Sequence, residues 1–345
     1  MNMSDKPLVS VLTPVYNGDS FLGECIESVL TQTYDTFEYI IVNNCSTDRT
    51  YDIALTYAQR DPRIRVHNND EFLAVIDNHN LAFSFISADA KYCKVVSGDD
   101  FIFPDCLRQM VECAERNPSV GIVGSYQLSG SYIKWQGYKY PQAVYSGPDI
   151  CRHMFLLRQE FIKGEGVLGF GSPSSLLYRA DLIRDSGGHF YPNSSPHADT
   201  SACFKCLQNC DFGFVYQVLS YERTHEATQT ATSKKLNRYL SATLNDLIQY
   251  GPLYLDKKEL EAKVKEYLDA YYELLATNYL VGRRGDDFWK YHRDRLEELG
   301  YPFSRGMLLK GAATRLVAEV ASPGRAIKKV WSRVVKNSNG ATRKG

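Results

Sequence analysis

The chain has 345 residues, 44% of them hydrophobic and 23% charged, enough to bury a large core over about two domains. Forty Lys and Arg balance forty Asp and Glu, so no global positive field points to a nucleic acid partner. The start MNMSDKPLVSVL lacks a signal peptide's basic-then-apolar order, no apolar run of about eighteen residues suggests a transmembrane helix, and nine scattered cysteines read as free thiols, so a cytosolic protein is expected.

Leu8–Thr13 is a β-branched run ended by Pro14 and predicts a strand. Ser20–Leu30 carries apolar residues at helical spacing, with Ser20 as a candidate cap. A second apolar run, Phe37–Val42, leads into the polar turn Asn43–Thr47. A helix follows over Asp48–Arg60, with Ser46 or Thr47 available to cap it. Strands over Ile64–His67 and Tyr92–Val96 flank a helix over Val75–Ala88, and a helix over Pro104–Arg116 precedes a strand over Val120–Tyr126. Such alternation implies βαβ units and a mostly parallel sheet flanked by helices, with ligands at the strands' carboxyl ends. Three polar loops fall there: Pro14–Asp19, Asn43–Thr47 and Ser97–Asp100.

Past residue 127 the pattern loosens. A helix over Asp149–Phe161, the Gly-rich stretch Gly164–Gly171, a strand over Ser174–Tyr178, a helix over Ala198–Leu207 and a strand over Phe212–Leu219 are predicted in turn. Beyond Ser233 every segment reads as helix: Lys234–Tyr250, Lys257–Tyr279 and Asp287–Glu298, then a basic end. The expected division is an α/β catalytic domain over 1–230, split near 126 into a nucleotide half and an acceptor half, and a helical extension over 231–345.

Ser97-Gly98-Asp99-Asp100 follows the apolar strand KYCKVV. Paired carboxylates at a strand's end, beside a glycine that lets a ligand approach the backbone, suit Mg²⁺ or Mn²⁺, which takes one or two carboxylates plus substrate phosphates. Equally, either aspartate would cap a helix starting near Pro104. Gly164, Gly166 and Gly169 match a dinucleotide fingerprint in spacing only; no strand precedes them and Pro173 prevents a following helix, so a lid or acceptor loop is expected there. Cys203, Cys206 and Cys210 fall on one helix face and read as a buried stripe.

VSVLTPVYNG over Val9–Gly18, SVLTQTY over Ser28–Tyr34, IIVNNCSTDRT over Ile40–Thr50 and VSGDDFIFPDCL over Val96–Leu107 together resemble family 2 glycosyltransferases of the GT-A fold, over roughly residues 8–225. The resemblance implies an inverting, metal-dependent transferase using a nucleoside diphosphate sugar, a UDP-sugar in the first place. Thr13, Pro14, Tyr16, Asn43 and Asn44 would then hold the nucleobase, Asp99 would lie by the ribose, and Asp100 would hold the metal. Asn43-Asn44 departs from the acidic pair typical of the family; an amide oxygen still accepts from an imide N–H, but a charge is lost, which leaves the base open. HADTSACFK over His197–Lys205 resembles the segment carrying the family's general base, which places Asp199 in that role; the residue also reads as an acid favoured at a helix start. The loop Tyr221–His225 would bring Arg223 to the diphosphate and His225 to the metal, or it is a solvated loop.

From Arg305 to Gly345 ten Lys and Arg meet one acid, Glu319, and apolar residues recur between them at helical spacing. A peripheral membrane contact through 305–336, at the inner face of the cell membrane, and a saccharide or lipid-linked acceptor are therefore expected, in surface polysaccharide or glycolipid assembly. A sugar-phosphate nucleotidyltransferase and a non-catalytic sugar-nucleotide scaffold are the other two readings.

Overall fold

A computed structural model describes residues 6–134, 138, 140–157, 169–193, 195, 197–224, 235–282 and 285–321. It forms two compact units, 1–260 and 261–345.

In the first unit, β1 (Val9–Val15), β2 (Phe37–Asn43), β3 (Ile64–Asn68) and β4 (Tyr92–Val95) pair in parallel in the order β3-β2-β1-β4. Every residue of β1 is buried, as expected of a strand covered on both faces. Helix α1 (Leu22–Leu30) covers one face with Leu22, Cys25, Ile26 and Val29. It has no side-chain cap: Phe21 and Leu22 N–H donate to the Gly18 carbonyl, and Ser20 bonds Asp19 instead. Helix α2 (Thr50–Ala58) starts later than the sequence predicts, because Asp48 accepts both the N–H and the hydroxyl of Thr50. Helix α3 (Val75–Ser84) completes this half.

Beyond β4 the sheet becomes mixed, a change the sequence pattern does not announce. Strand β5 (Phe101–Ile102) runs antiparallel to β10 (Asp211–Glu222), and β6 (Val120–Ser129) pairs with β10 in parallel. Strand β9 (Leu176–Arg179) is inserted antiparallel between β4 and β6. Two short strands, β7 (Tyr132–Lys134) and β8 (Val144–Tyr145), add to β6 and β10. Helices α4 (Cys106–Arg116), α5 (Gly147–Leu156), α6 (Ala180–Arg184) and α7 (Ala198–Cys206) pack around them. Cys203 and Cys210 are buried and Cys206 half-buried, and burial pushes the Cys206 and Cys210 thiols up to about 12 and about 11, as an inert stripe requires. Helix α8 (Arg238–Tyr250) also belongs to this unit and is buried on most of its surface; its Asp246 accepts from Ser201 of α7 at 2.6 Å.

The second unit takes in most of α9 (Lys257–Val281), then α10 (Asp286–Glu298) and α11 (Arg305–Ala321). Tyr271, Tyr272, Leu275, Phe288, Leu296 and Leu308 are among its buried apolar residues, with His292 fully buried against the Tyr271 hydroxyl at 2.5 Å. Among the described residues no helix is long and apolar enough to cross a membrane.

Candidate functional site

The register brings the polar loops together. Val15, Asn43 and Asn68 stand level at the carboxyl ends of β1, β2 and β3. The β1 and β2 loops are laced by short side chains: Asn17 and Gly18 N–H donate to the hydroxyls of Ser46 and Thr50, and Asn17 Oδ1 accepts from Thr47 N–H. Asn17 and Cys45 both adopt positive φ, 48° and 55°, so the two tight turns rise from the sheet together. The loop after β4 crosses the end of β1. A Cβ on Gly98 would lie 2.7 Å from Val15 Cγ2, so this glycine lets two loops close on each other; its work is packing rather than ligand access.

Asp100 is the centre of a buried polar network. Its Oδ2 accepts from the Ser174 hydroxyl at 2.7 Å and its Oδ1 from Arg223 N–H at 3.0 Å. It does not cap α4, which begins after Asp105 with no side-chain cap. Burial and the neighbouring charge of Asp99 push its carboxyl up to about 7. Asp99 is the more open of the two, and its carbonyl accepts from Arg223 Nε at 3.0 Å. The Arg223 guanidinium lies 4.6 Å over the Phe21 ring and reaches Glu24 at 2.5 Å. Arg223 therefore ties the end of β10 to both aspartates and to the first turns of α1.

Below this network lies Lys94, fully buried in β4. Its ammonium donates to the carbonyls of Ser174 and Leu176 at 2.6 and 3.0 Å and fixes the turn that carries the Ser174 hydroxyl. Gly171, at φ 138°, starts that turn; a Cβ there would meet Ser175 Oγ at 2.3 Å. A lysine inside the apolar run KYCKVV is the signal in the sequence for such a buried partner; nothing marked Ser174.

The nucleobase candidates separate into two sets. Tyr16 is exposed and meets the exposed ring of Phe72 edge-on at 4.9 Å. Phe72 carries no sequence signal; Asn44 places it, since its Oδ1 accepts from Leu73 N–H and its Nδ2 donates to the Leu73 carbonyl, at 2.9 and 2.8 Å. Thr13, Pro14, Asn43 and Asn44 are buried behind this wall. The Thr13 hydroxyl bonds Tyr39 and the Val96 carbonyl, both at 2.9 Å, and braces β1 against β2 and β4. Asn43 Nδ2 donates to Asn68, while the Oδ1 atoms of Asn43 and Asn69 are buried acceptors without a donor.

Asp199 opens α7, half-buried. Burial pushes its carboxyl up to about 6, and the charges of Asp246 and Glu222 add to the rise. Tyr178 and Tyr191 feel its charge from one side and Tyr239 of α8 from the other. The His197 ring lies tilted against Tyr239, centroids 4.5 Å apart. Glu222 raises both Asp100 and Asp199, which puts the two carboxyls in electrostatic reach of one residue at the end of β10. Neither Glu222 nor Asp246 was legible as a partner, because each comes from a separate element. His225, Gly164 and Gly166 lie outside the described residues.

A divalent cation fits the Asp99–Asp100 end. The Asp100 carboxyl, pushed up by burial and by the Asp99 carboxylate, has a hydroxyl and an amide N–H as its bonded partners and the Lys94 ammonium buried nearby, so an added cation would favour its charged form. Among the described residues no three His, Cys, Asp or Glu gather into a metal-binding group.

The family model described as Glycosyl transferase family 2 matches residues 10–187. An uncharacterized glycosyltransferase of Rickettsia typhi is 28% identical over 251 residues, covering 72% of this chain and 71% of that one. EpsJ of Bacillus subtilis, also described as an uncharacterized glycosyltransferase, is 40% identical over 119 residues, 34% of this chain and 33% of its own. Among solved structures, S. aureus TarS 1-349 in complex with UDP-GlcNAc aligns over 92% of each chain with a TM-score of 0.63 and 17% identity. The mannosyltransferase PcManGT from Pyrobaculum calidifontis, in complex with GDP-Man and Mn²⁺, aligns over 92% of this chain and 87% of its own, with a TM-score of 0.55 and 15% identity. At these identities the structural likeness shows the fold.

Proposed function

Since the chain belongs to glycosyl transferase family 2 and is a glycosyltransferase, we propose that it moves a sugar from a nucleoside diphosphate donor to an acceptor hydroxyl in one inverting, metal-assisted displacement. Membership of the family sets aside the nucleotidyltransferase and scaffold readings. The observation that carries the mechanism is a pair of carboxyls reached by the charge of Glu222 at the end of β10: Asp100, beside Asp99 and held by Ser174 and the Arg223 N–H, and Asp199 in the first turn of α7, both raised by burial.

Each residue has a task that follows from its surroundings. Asp100 would hold Mn²⁺ or Mg²⁺, with Asp99 beside it towards the ribose, and the cation would supply positive charge to the leaving diphosphate. Ser174 and the Arg223 N–H keep the Asp100 carboxylate turned to that position, and Arg223 supplies a positive charge beside it. Tyr16 and Phe72, set edge to face, offer exposed aromatic surface for the base; Thr13, Pro14, Asn43 and Asn44 support it from behind. Asn43 is turned inward to Asn68 and leaves the base open, and a UDP-sugar is the first choice of donor. Asp199, raised towards neutrality, takes the proton of the acceptor hydroxyl as its oxygen attacks the anomeric carbon opposite the leaving group. The acceptor is a saccharide or lipid-linked sugar of surface polysaccharide or glycolipid assembly.

Calorimetric titration with UDP, with and without Mn²⁺, on wild type and on Asp99→Asn and Asp100→Asn tests the donor side. Tighter binding with Mn²⁺ that both variants lose is expected; binding indifferent to Mn²⁺ would refute the metal's role. Slow hydrolysis across a panel of UDP- and GDP-sugars then identifies the donor.

A further inference from the structure

Helix α11 shows a second kind of surface. One face is spoken for within its own unit: Leu308 and Ala312 are buried, Gly311 packs where a Cβ would be 3.1 Å from the Tyr272 carbonyl, and Arg315 pairs with Glu273 at 3.7 Å. The opposite face is apolar and open. Leu309, Leu316 and Val317 are 60%, 50% and 68% exposed. At about 100° per residue these three, with the exposed Ala313, fall within an arc of roughly 100°. Arg305 lies just beyond one border of that arc and Lys310 just beyond the other. Both are exposed, and neither has an ion pair among the described residues. The sequence after α11, residues 322–345, adds seven Lys and Arg and no acid.

An apolar stripe edged by two unpaired cations matches the boundary of an anionic bilayer, where leucine and valine enter the acyl region and Arg and Lys reach back to phosphates. A second copy of the chain fits less well. A twofold contact over this stripe would set cations near their own counterparts, and the stripe offers no carboxylate to pair with them. We propose that the outward face of α11, Leu309, Leu316 and Val317 bordered by Arg305 and Lys310, docks on an anionic phospholipid surface. This goes beyond the transferase reading and does not rest on it.

Flotation of the full chain with vesicles of phosphatidylcholine, with and without about one-third phosphatidylglycerol, tests the proposal. Binding is expected only to the anionic vesicles, weakening severalfold as NaCl rises from about 0.1 to about 0.5 M. Leu309→Glu/Leu316→Glu should lower the partition coefficient tenfold or more, and Arg305→Ala/Lys310→Ala about tenfold, with thermal unfolding unchanged because all four side chains are exposed. Equal binding to neutral vesicles, or retention of wild-type binding by the leucine variant, would overturn it. So would a wild-type dimer in sedimentation velocity that the leucine variant dissolves while neither protein floats; the face would then belong to a second copy.

Discussion

The two ends of the site are built in opposite ways. At the donor end, Asp99, Asp100, Tyr16 and Asn44 come from loops that each follow one parallel strand, and the register brings those loops to the same end of the sheet. At the acceptor end, Asp199 has neighbours from β9, α8 and the end of β10, gathered across an antiparallel insertion. Register fixes the first end as soon as the sheet forms; the second depends on helix packing around a buried acid. The donor end should therefore tolerate single changes by losing affinity, whereas the acceptor end should lose turnover with little change in donor binding.

The largest effect separates the two ends. Asp199→Asn keeps the shape and removes the proposed base, so turnover should fall about 10²- to 10⁴-fold in a transfer assay while the UDP affinity holds. The same variant carries a stability signature. The folded carboxyl is raised to about 6 from 3.8, so its ionisation penalty is absent below the unfolded value, grows as pH rises between the two, and is complete above about 6. Asp199→Asn should melt higher than wild type at pH 8, and the gap should narrow as the pH is lowered towards 5.

Next in size, Asp100→Ala should weaken Mn²⁺-dependent UDP binding by one to two orders of magnitude, leaving a buried Ser174 hydroxyl and Arg223 N–H without their acceptor. For the base, turnover should drop about tenfold per pH unit below about 6 and flatten above it; a rate that rises on acidification would contradict Asp199 acting as base. Smaller still, Ser174→Ala removes one hydrogen bond to Asp100 and should cost roughly three- to tenfold in UDP affinity, about 1 kcal/mol. Tyr16→Ala and Phe72→Ala should each raise the donor KM severalfold with kcat nearly unchanged, since both rings are exposed and their loss leaves the core intact.

The same contrast explains what the sequence showed. The βαβ half was legible down to its loops because strand and helix periods are local, and the acidic pair follows an apolar strand directly. Strand β9 was recognisable as a strand, but its antiparallel place between β4 and β6 was not, since pairing direction leaves no mark in a buried four-residue run. Thr13 and Asn43 read as ligand-facing polar residues at strand ends; only the packing shows that their side chains turn inward to Tyr39 and Asn68. Phe72, Ser174 and Glu222 carry no local pattern, because the partner that gives each its place is 28, 74 and 88 residues away, in Asn44, Asp100 and Lys134. The late start of α2 likewise appears only once Thr50 is seen to bond Asp48 twice.

Central to all of this is the separation of donor binding from proton removal. The most direct measurement compares wild type and Asp199→Asn for both the Mn²⁺-supported UDP dissociation constant and the rate of sugar transfer. The expected result is a dissociation constant within about twofold and a transfer rate lowered at least a hundredfold. A variant that transfers within about threefold of wild type, or that loses binding and transfer in parallel, would contradict it.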